Sequence, residues 1–356
     1  MRKLPTCGYL RKKYTAIIKK YIDFTKLNDY NLLKQFTEEF CMYRIGIDLG
    51  GTNIAAGLVN ESYELVRKKS VPTGAERPGE MIVADMAELC RNLCAEHGIT
   101  MADVTAIGIA SPGVANINTG IVEYANNLHF ENFPLASLLG EKLGFENIKI
   151  ANDANAAAWG EAVAGAAKGT SNSVMITLGT GVGGGIIIDN KIYTGFNCAG
   201  AELGHIVIEV DGVPCSCGRH GCWESYSSAT ALIRMTKEKI DECRATGRKS
   251  MMLDAPRVSG RLACDCMRAG DEAAKEVYDK YIKYLASGLA TIVNIFQPEV
   301  ISLGGGVSGE GQSLIDALLP LVRAQSYGVG FVKDLPELRI AKLGNDAGII
   351  GAALLG

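Results

Sequence analysis

The 356-residue chain lacks any apolar run that approaches the roughly 18–20 residues of a membrane-spanning helix. It also lacks a charge imbalance, since 36 Lys and Arg residues stand against 39 Asp and Glu residues, for a net charge of −3. Composition therefore does not indicate nucleic acid or an anionic membrane as a partner. The N-terminal stretch MRKLPTCGYLRKK is basic but lacks the apolar core and small-residue cleavage site of a secretory signal. We expect a cytoplasmic protein.

The spacing of a disulfide framework is also missing, although the chain has eleven cysteines. Their number is odd, and they are scattered from Cys7 to Cys266. Unpaired cysteines of this kind are typical of a reducing cytosol. One group stands apart, in the stretch GHIVIEVDGVPCSCGRHGCWE at 204–224.

This stretch combines His205 with Cys215, Cys217 and Cys222. Four nitrogen and sulfur ligands fit a closed tetrahedral Zn²⁺ site of the Cys₃His type, and nearby glycines let the loop fold tightly round an ion. A disulfide is disfavoured because Cys215 and Cys217 are too close for easy bridging and the compartment is expected to be reducing, whereas chance clustering stays open. A closed site is structural, so we expect the metal to hold the loop in place and not to catalyse.

The length of the chain favours two domains, because single cores stop growing near 250–300 residues, roughly. Residues 1–41 predict one or two polar helices without a chemical motif. Either they are an appended helical segment or, as we favour, Met42 is the true start and they are an upstream extension. A DNA-binding helix-turn-helix would need more length and a basic recognition helix. We expect deletion of 1–41 to leave activity intact.

From residue 43 onward, short β-rich runs alternate with helical ones, which is the pattern of an α/β protein. Strands are predicted at 43–48, 54–59, 65–72, 104–110, 148–151 and 339–344, and helices at 78–98, 134–144, 153–167, 226–246, 271–296 and 346–355, with a polar insert near 247–262. The run at 300–308 predicts a strand, a glycine turn and a following helix. The run at 172–189 repeats the strand, glycine turn and strand of 43–59. Such a duplication predicts two similar halves around a cleft.

Three glycine-rich turns each follow an apolar strand: DLGGTN at 48–53, LGTGVGGG at 178–185 and LGGGVS at 303–308. Their glycines let backbone N–H groups approach an anion, and Thr52 or Thr180 can add a hydroxyl donor. None is a Walker A loop, because the lysine is missing, and β-structure follows the first two, unlike a dinucleotide-binding loop. Together they predict a nucleotide-phosphate clamp of a different architecture, although any one of them alone could be a tight hairpin.

Four carboxylates occupy positions suited to phosphoryl transfer. Asp48 ends the first strand beside a glycine turn, where it can hold Mg²⁺ or simply cap the turn. Asp153 lies at a strand-to-helix junction, where it can be a plain N-cap or accept the proton of an attacking hydroxyl. Asn152 beside it is suited to a sugar hydroxyl. Glu202 and Glu224 bracket the cysteine loop and can accept hydrogen bonds from a polyol.

In their order and identity, these motifs resemble the ROK family of bacterial sugar kinases and repressors, most closely its zinc-containing glucokinases. The resemblance covers residues 42–356 and rests on GIDLGGTNIAAGLV, ASPGVANINTGIV, NNLHFENFPL, ANDANAAAWGE, LGTGVGGGII, GAELGHI with CSCGRHGCWE, and ISLGGGVS. It implies an actin-like, ribonuclease H-like α/β fold of two domains with the active site in the interdomain cleft. The implied domains are a small one of 42–151 plus about 344–356 and a large one of 152–343, with a zinc loop at 205–222.

The resemblance also implies transfer of the γ-phosphoryl group of ATP to the 6-hydroxyl of glucose, with Asp153 as general base. The implied sugar contacts are Gly113, Asn127, Asn152, Asp153, Glu202, His205 and Glu224. The implied nucleotide and magnesium contacts are Asp48, Gly50, Gly51, Thr52, Asn53, Thr180, Gly181, Gly304 and Gly305. His205 would serve twice, as a ligand of the structural zinc and as a sugar contact.

The resemblance leaves the substrate and the donor open. The sugar could be N-acetylmannosamine, N-acetylglucosamine, fructose or allose, and the donor could be polyphosphate. A sugar-responsive repressor would bind DNA with a steep salt dependence, for which the segment 1–41 is short. Two departures from the family pattern bear on substrate fit: Phe130 stands where glucokinase-like members often carry Trp, and Ala201 replaces a glycine before Glu202. We expect a homodimer or homotetramer.

Overall fold

The computed structural model describes residues 42–328, 330, 331 and 334–356. The helices expected within 1–41 lie outside these described residues. Throughout the described ranges, every helix is too short or too polar to span a bilayer.

Strands and helices alternate along the chain, as the run pattern predicts. The strands are β1 (Tyr43–Leu49), β2 (Asn53–Val59), β3 (Leu65–Pro72), β4 (Val104–Ser111), β5 (Val114–Asn116), β6 (Ile121–Ala125), β7 (Phe130–Phe133), β8 (Ile148–Asn152), β9 (Ser173–Leu178), β10 (Val182–Ile188), β11 (Lys191–Tyr193), β12 (Val300–Gly304) and β13 (Glu337–Ile340). The helices are α1 (Gly79–His97), α2 (Leu135–Leu143), α3 (Asp153–Val163), α4 (Glu224–Ser227), α5 (Ala229–Thr246), α6 (Leu262–Arg268), α7 (Glu272–Phe296), α8 (Gln312–Gln325) and α9 (Ala347–Ala353).

The first sheet has the strand order β3-β2-β1-β4-β8. Its first three strands form the expected antiparallel meander, whereas β4 runs parallel to β1 and β8 runs parallel to β4. Helices α1 and α2 bury their apolar faces against it in one continuous core. Helix α1 ends at Gly98, whose φ of 78° gives the left-handed C-cap that the sequence predicts. We call this sheet with its helices the first lobe.

The second sheet has the order β11-β10-β9-β12-β13 and repeats the pairing pattern of the first. Strands β9 and β10 are antiparallel, whereas β12 runs parallel to β9 and β13 runs parallel to β12. This is the arrangement that the duplicated strand, turn and strand unit predicts. Helices α5 to α8 share a large apolar core with this sheet. We call this sheet with its helices the second lobe.

Two helices differ from expectation. The predicted helix at 226–246 is broken into α4 and α5 at Ser228, because this residue is extended and its hydroxyl accepts the N–H of Ala231 at 3.0 Å as an N-cap. The predicted helix at 153–167 ends at Val163. One unpredicted helix, α6, directly follows the polar insert.

A small sheet of β5, β6 and β7 was not predicted. Its strands are only three to five residues long, so alternation cannot be read from them. The sheet matters for function because the residues implied as sugar contacts, Gly113 and Asn127, flank its strands.

Helices α3 and α9 lie between the two sheets. A Cβ at Gly46 of β1 would stand 1.8 Å from the carbonyl oxygen of Ile349 in α9, so only glycine allows this helix to lie on the first sheet. On the other side, a Cβ at Gly185 of β10 would stand 2.5 Å from the Cβ of Ala158 in α3. The sheets therefore meet through a pair of closely packed helices.

Candidate functional site

The first glycine turn, between β1 and β2, is held open by a residue that no sequence motif marks. The hydroxyl of Thr73, which is fully buried, donates to the carbonyl oxygen of Gly50 at 2.6 Å. The N–H of Thr73 donates to the carbonyl oxygen of Thr52 at 2.8 Å. Both carbonyls are engaged behind the turn, and the N–H of Gly50 donates to the carbonyl oxygen of Asn53 at 3.0 Å, so the N–H groups of Gly51 and Thr52 are the ones left to face an anion. Sequence reasoning missed Thr73, since its partners lie about twenty residues away in the chain.

The first turn also lies beside the small sheet. A Cβ at Gly51 would meet the Cβ of Asn127 at 3.4 Å. Asn127 sits in a single 3₁₀ turn, Asn126–Leu128, and is exposed. Asn53, which begins β2 at the end of the same turn, is exposed as well. A residue implied as a sugar contact thus stands next to a turn implied as a phosphate contact.

Glu224 supports the second glycine turn. Its Oε2 accepts the N–H of Val182 at 2.9 Å, and a Cβ at Gly181 would stand only 2.2 Å from the same oxygen. The hydroxyl of Thr230 holds the turn from the other side by donating to the carbonyl oxygen of Thr180 at 2.8 Å. One oxygen of Glu224 is therefore engaged by the turn, and the other is directed toward Ser216 at 3.4 Å.

The third glycine turn meets the second where β12 and β9 end, at the carboxyl ends of these two neighbouring strands of the second sheet. Gly305 has a φ of 83°, and a Cβ there would lie 2.5 Å from the carbonyl oxygen of Leu178, the last residue of β9. Only glycine tolerates both conditions. Gly304, at the end of β12, pairs with Thr177 of β9. The structure thus brings together two of the three predicted turns.

Asp48 and Asp153 share one electrostatic environment. Burial raises the pKa of Asp48 to about 6, with a further contribution from the negative charge of Asp153 and an opposing one from Lys68. A Cβ at Gly348, in α9, would lie 3.1 Å from Oδ2 of Asp48. The carboxylate expected to hold magnesium and the one expected to act as a base therefore face the same space between the lobes.

The capping role considered for Asp153 belongs instead to its neighbour. Oδ1 of Asn152 accepts the N–H groups of Ala154 at 3.0 Å and Asn155 at 3.2 Å, so Asn152 is the N-cap of α3. Asp153 is the first helical residue, and its Oδ1 accepts the N–H of Ala154 at 2.8 Å. Burial raises the pKa of Asp153, while these backbone hydrogen bonds oppose that shift. Its remaining carboxylate oxygen is available for chemistry.

Asn152 also fixes the turn that contains Gly113. Its Nδ2 donates to the carbonyl oxygen of Gly113 at 3.1 Å, and its side chain also hydrogen-bonds the carboxylate of Asp153, which opposes the rise in the pKa of Asp153. Gly113 itself has a φ of 80°, and a Cβ there would lie 2.1 Å from the carbonyl oxygen of Tyr124. The hydrogen bond therefore holds Asn152 and Gly113 together just after the end of β4.

The four residues expected to bind metal converge. Nδ1 of His205 lies 3.6 Å from Sγ of Cys215, and the Sγ atoms of Cys217 and Cys222 are 3.6 Å apart. All four ligand atoms lie within 4.8 Å of one another. Ligands about 2.3 Å from a tetrahedral ion are separated by about 3.8 Å, so this donor set fits a closed four-coordinate site. The cysteines are free, and no disulfide joins them among the residues described.

Glu202 interacts electrostatically with His205 of this cluster and with Asp153. Burial raises the pKa of Glu202, His205 lowers it, and the negative charges of Asp153 and Glu224 raise it further. Glu202 is therefore within electrostatic range of both Asp153 and Glu224. A neutral polyhydroxyl ligand, which donates hydrogen bonds without adding charge, suits such a group.

The two departures from the family pattern have different structural settings. Phe130 is only 3% exposed and stacks on Phe133 with ring centroids 4.2 Å apart, so it packs in the core of the first lobe. Ala201 has a φ of 69°, in the left-handed region that disfavours residues with a Cβ. The second departure therefore places backbone strain next to Glu202.

Replacement of this alanine by glycine tests that strain. Ala201→Gly is expected to stabilise the protein by about 1 kcal/mol, because the left-handed conformation no longer opposes a Cβ. The melting temperature should rise by about 1–3 °C in thermal denaturation. Gly200→Ala is the matched control and should lower it, since its Cβ would lie 2.9 Å from the carbonyl oxygen of Thr194. A lower melting temperature for Ala201→Gly would contradict the argument.

Known proteins are similar to this chain over nearly their whole length. Residues 44–356 match the model of the ROK family. A glucokinase from Halalkalibacterium halodurans is 36% identical over 315 residues, which are 87% of this chain and 94% of that protein. A crystal structure of a ROK family glucokinase from Streptomyces griseus, in complex with glucose and AMPPNP, matches with a TM-score of 0.72 at 34% identity, covering 88% of this chain and 99% of that one.

The similarity extends to a kinase with another substrate. An N-acetyl-D-glucosamine kinase from Aliivibrio salmonicida is 30% identical over 320 residues, which cover 87% of this chain and 98% of that protein.

Proposed function

The chain belongs to the ROK family, and from that premise we propose that it is a glucokinase, which transfers the γ-phosphoryl group of ATP to the 6-hydroxyl of glucose. It has the actin-like two-domain fold of that family, with the site in the cleft between the lobes. The observation that supports the reaction most directly is the position of Asp153. This carboxylate begins α3, is relieved of capping by Asn152, and lies within electrostatic reach of Asp48 and Glu202.

In the proposed reaction, Asp153 accepts the proton of the sugar 6-hydroxyl as that oxygen bonds to the γ-phosphorus and ADP departs. The raised pKa of this carboxylate improves it as a proton acceptor. Asp48 would hold the Mg²⁺ that accompanies ATP and offsets charge on its phosphates. The glycine turns would direct backbone N–H groups at the phosphates, with contacts at Gly50, Gly51, Thr52, Asn53, Thr180, Gly181, Gly304 and Gly305.

The sugar would be held from both lobes. The first lobe offers Gly113, Asn127 and Asn152 at the ends of its strands. The second lobe offers Glu202, His205 and Glu224, whose positions depend on the cysteine loop. We propose that His205, Cys215, Cys217 and Cys222 bind a structural Zn²⁺, which holds this loop and takes no part in phosphoryl transfer.

We further propose a small domain of 42–151 plus 344–356 and a large domain of 152–343. A cytoplasmic homodimer or homotetramer is the proposed assembly, and size-exclusion chromatography with light scattering would test it. DNA is not proposed as a partner, because an intact Asp153 and three phosphate-type turns suit a kinase better than a repressor. A specific, salt-sensitive gel shift would revive the repressor hypothesis.

The test is an ADP-release assay with purified protein over a panel of sugars. Glucose with MgATP should give the highest kcat/KM, and product formed from it should be oxidised by glucose-6-phosphate dehydrogenase. The second candidate is an N-acetylhexosamine kinase, which the Aliivibrio relative favours. N-acetylglucosamine, N-acetylmannosamine, fructose and allose are therefore the comparison sugars, and polyphosphate is the comparison donor. A higher kcat/KM for any of these would replace the glucokinase assignment.

A further inference from the structure

Glu161, near the end of α3, is a fully buried carboxylate without a role in the reaction described above. Its Oε2 accepts the N–H groups of Ala166 at 2.6 Å and Lys342 at 3.1 Å, and its Oε1 accepts the N–H of Leu343 at 2.7 Å. Gly165 leaves room for it, since a Cβ there would lie 2.1 Å from Oε2. Three backbone donors thus satisfy the carboxylate, and they come from two distant parts of the chain.

The distant partners are in a connection between the lobes. Lys342 and Leu343 follow β13 of the second lobe and lead into α9. Helix α9 lies on the first sheet, where Gly46 and Gly108 approach its carbonyl groups. Through these hydrogen bonds, Glu161 therefore fastens α3 to the segment from which α9 begins.

The contact between α3 and α9 has little interlocking of its own. A Cβ at Gly351 would lie 1.7 Å from the carbonyl oxygen of Ala156, and one at Gly160 would lie 2.7 Å from that of Ala347. Such smooth backbone-to-backbone surfaces do not fix an angle by inserting side chains into grooves. Two directional contacts near the helix ends can fix this angle. They are the Glu161 hydrogen bonds just before α9 and the hydrogen bond that Nε1 of Trp159 in α3 donates to the carbonyl oxygen of Leu354, just after α9, at 2.9 Å.

Each helix is directly linked to one of the two aspartates. Asp153 is the first residue of α3, and Asp48 lies against Gly348 of α9. A rotation between the helices would change the separation of the two carboxylates, one proposed to accept the proton and the other to hold magnesium. An error of about 1 Å in such a geometry can cost about 100-fold in rate.

We propose that Glu161 is a positioning residue that sets the angle between α3 and α9, and through it the alignment of Asp153 with Asp48. This inference rests on the proposed kinase function for its effect on rate. The hydrogen bonds that it invokes can be tested without any substrate.

The first test is hydrogen exchange in the Glu161→Gln variant, which keeps the side-chain size but turns an amide donor toward backbone N–H groups. Exchange at Lys342 and Leu343 should become at least tenfold faster, while amides in β9 and β12 keep their protection. Glu161→Ala is the second variant, in case glutamine retains one hydrogen bond. Unchanged exchange in both variants would show that the carboxylate does not hold the connection, and would overturn the proposal.

The second test compares kcat with that of a matched control. Asp271 is also a buried carboxylate that accepts three backbone N–H groups, from Met251, Ala273 and Ala274, but it lies wholly within the second lobe. Glu161→Gln should lower kcat at least tenfold at a temperature where its circular dichroism is native. Asp271→Asn should keep kcat within twofold, even with a comparable loss of melting temperature.

Two kinetic outcomes would reject a positioning role. The first is a kcat within twofold of wild type for Glu161→Gln together with faster exchange at Lys342 and Leu343. The second is an equal fall in kcat for both variants, which would point to general destabilisation. If the wild-type protein phosphorylates no sugar, the proposed function fails instead, and the exchange experiment still decides whether Glu161 ties the lobes.

Discussion

Asp153→Asn is expected to lower kcat for glucose phosphorylation by about 10²–10⁴-fold, the usual contribution of a positioned general base. Asparagine has nearly the same size as aspartate, and its Oδ1 can still accept the N–H of Ala154, as Oδ1 of Asp153 does at 2.8 Å. The fold and the N-cap of α3, which depends on Asn152, should therefore survive. Initial rates with saturating glucose and MgATP measure the effect.

The controls for this variant separate chemistry from binding. The KM for glucose should change by less than about threefold, because the neutral amide still fits the space, and the melting temperature should stay near that of the wild type. Asp241→Asn, an exposed carboxylate on α5 that pairs with Arg244, should leave kcat unchanged. Near-wild-type turnover of Asp153→Asn would show that another group accepts the proton.

The pH profile gives an independent check on the same residue. The base works only when it is unprotonated, and burial raises the pKa of Asp153, so kcat/KM should begin to fall at a higher pH than for an ordinary aspartate near 4. Asp48, whose pKa is raised to about 6, adds to this acidic limb through its role toward magnesium. The limb should weaken but not vanish in the residual activity of Asp153→Asn. A profile that is flat down to pH 4 would contradict the electrostatic account.

Cys222→Ser should have the second large effect, through loss of the proposed zinc. Cys222 is fully buried, and its sulfur lies 3.6 Å from that of Cys217. Protein purified without added zinc should contain about one zinc per chain, and the variant should contain close to none. Because structural zinc supplies folding free energy directly, the melting temperature should fall by several degrees or more.

Loss of the zinc should also weaken the binding of both substrates. Glu224 lies two residues after Cys222 and accepts the N–H of Val182 in the second glycine turn at 2.9 Å. We expect the KM to rise at least tenfold for glucose and to rise for MgATP as well, since outer contacts of metal sites alone are worth about 10–100-fold. Cys243→Ala removes a buried thiol outside the cluster and should keep its zinc. A fully active wild-type protein with almost no metal would refute the zinc site.

The sequence by itself determined the features that local patterns encode. Alternating strands and helices, the three glycine turns and the repeated strand, turn and strand unit all depend on residues close together in the chain, and the structure places them as expected. The cluster of His205 with three cysteines could be predicted equally well, because the cysteines lie within eight residues and one loop brings them to His205. Residue type and short spacing are enough to predict a feature when all the residues that form it lie close together in the chain.

Only the tertiary structure decided which polar groups hold the fold, and through which partners. Sequence left the N-cap of α3 open to Asp153, and the hydrogen bonds assign it to Asn152. Thr73 and Glu161 were missed because their partners lie 23 and up to 182 residues away. The free energy of a buried hydrogen bond depends on where distant segments pack, and no local pattern contains that information.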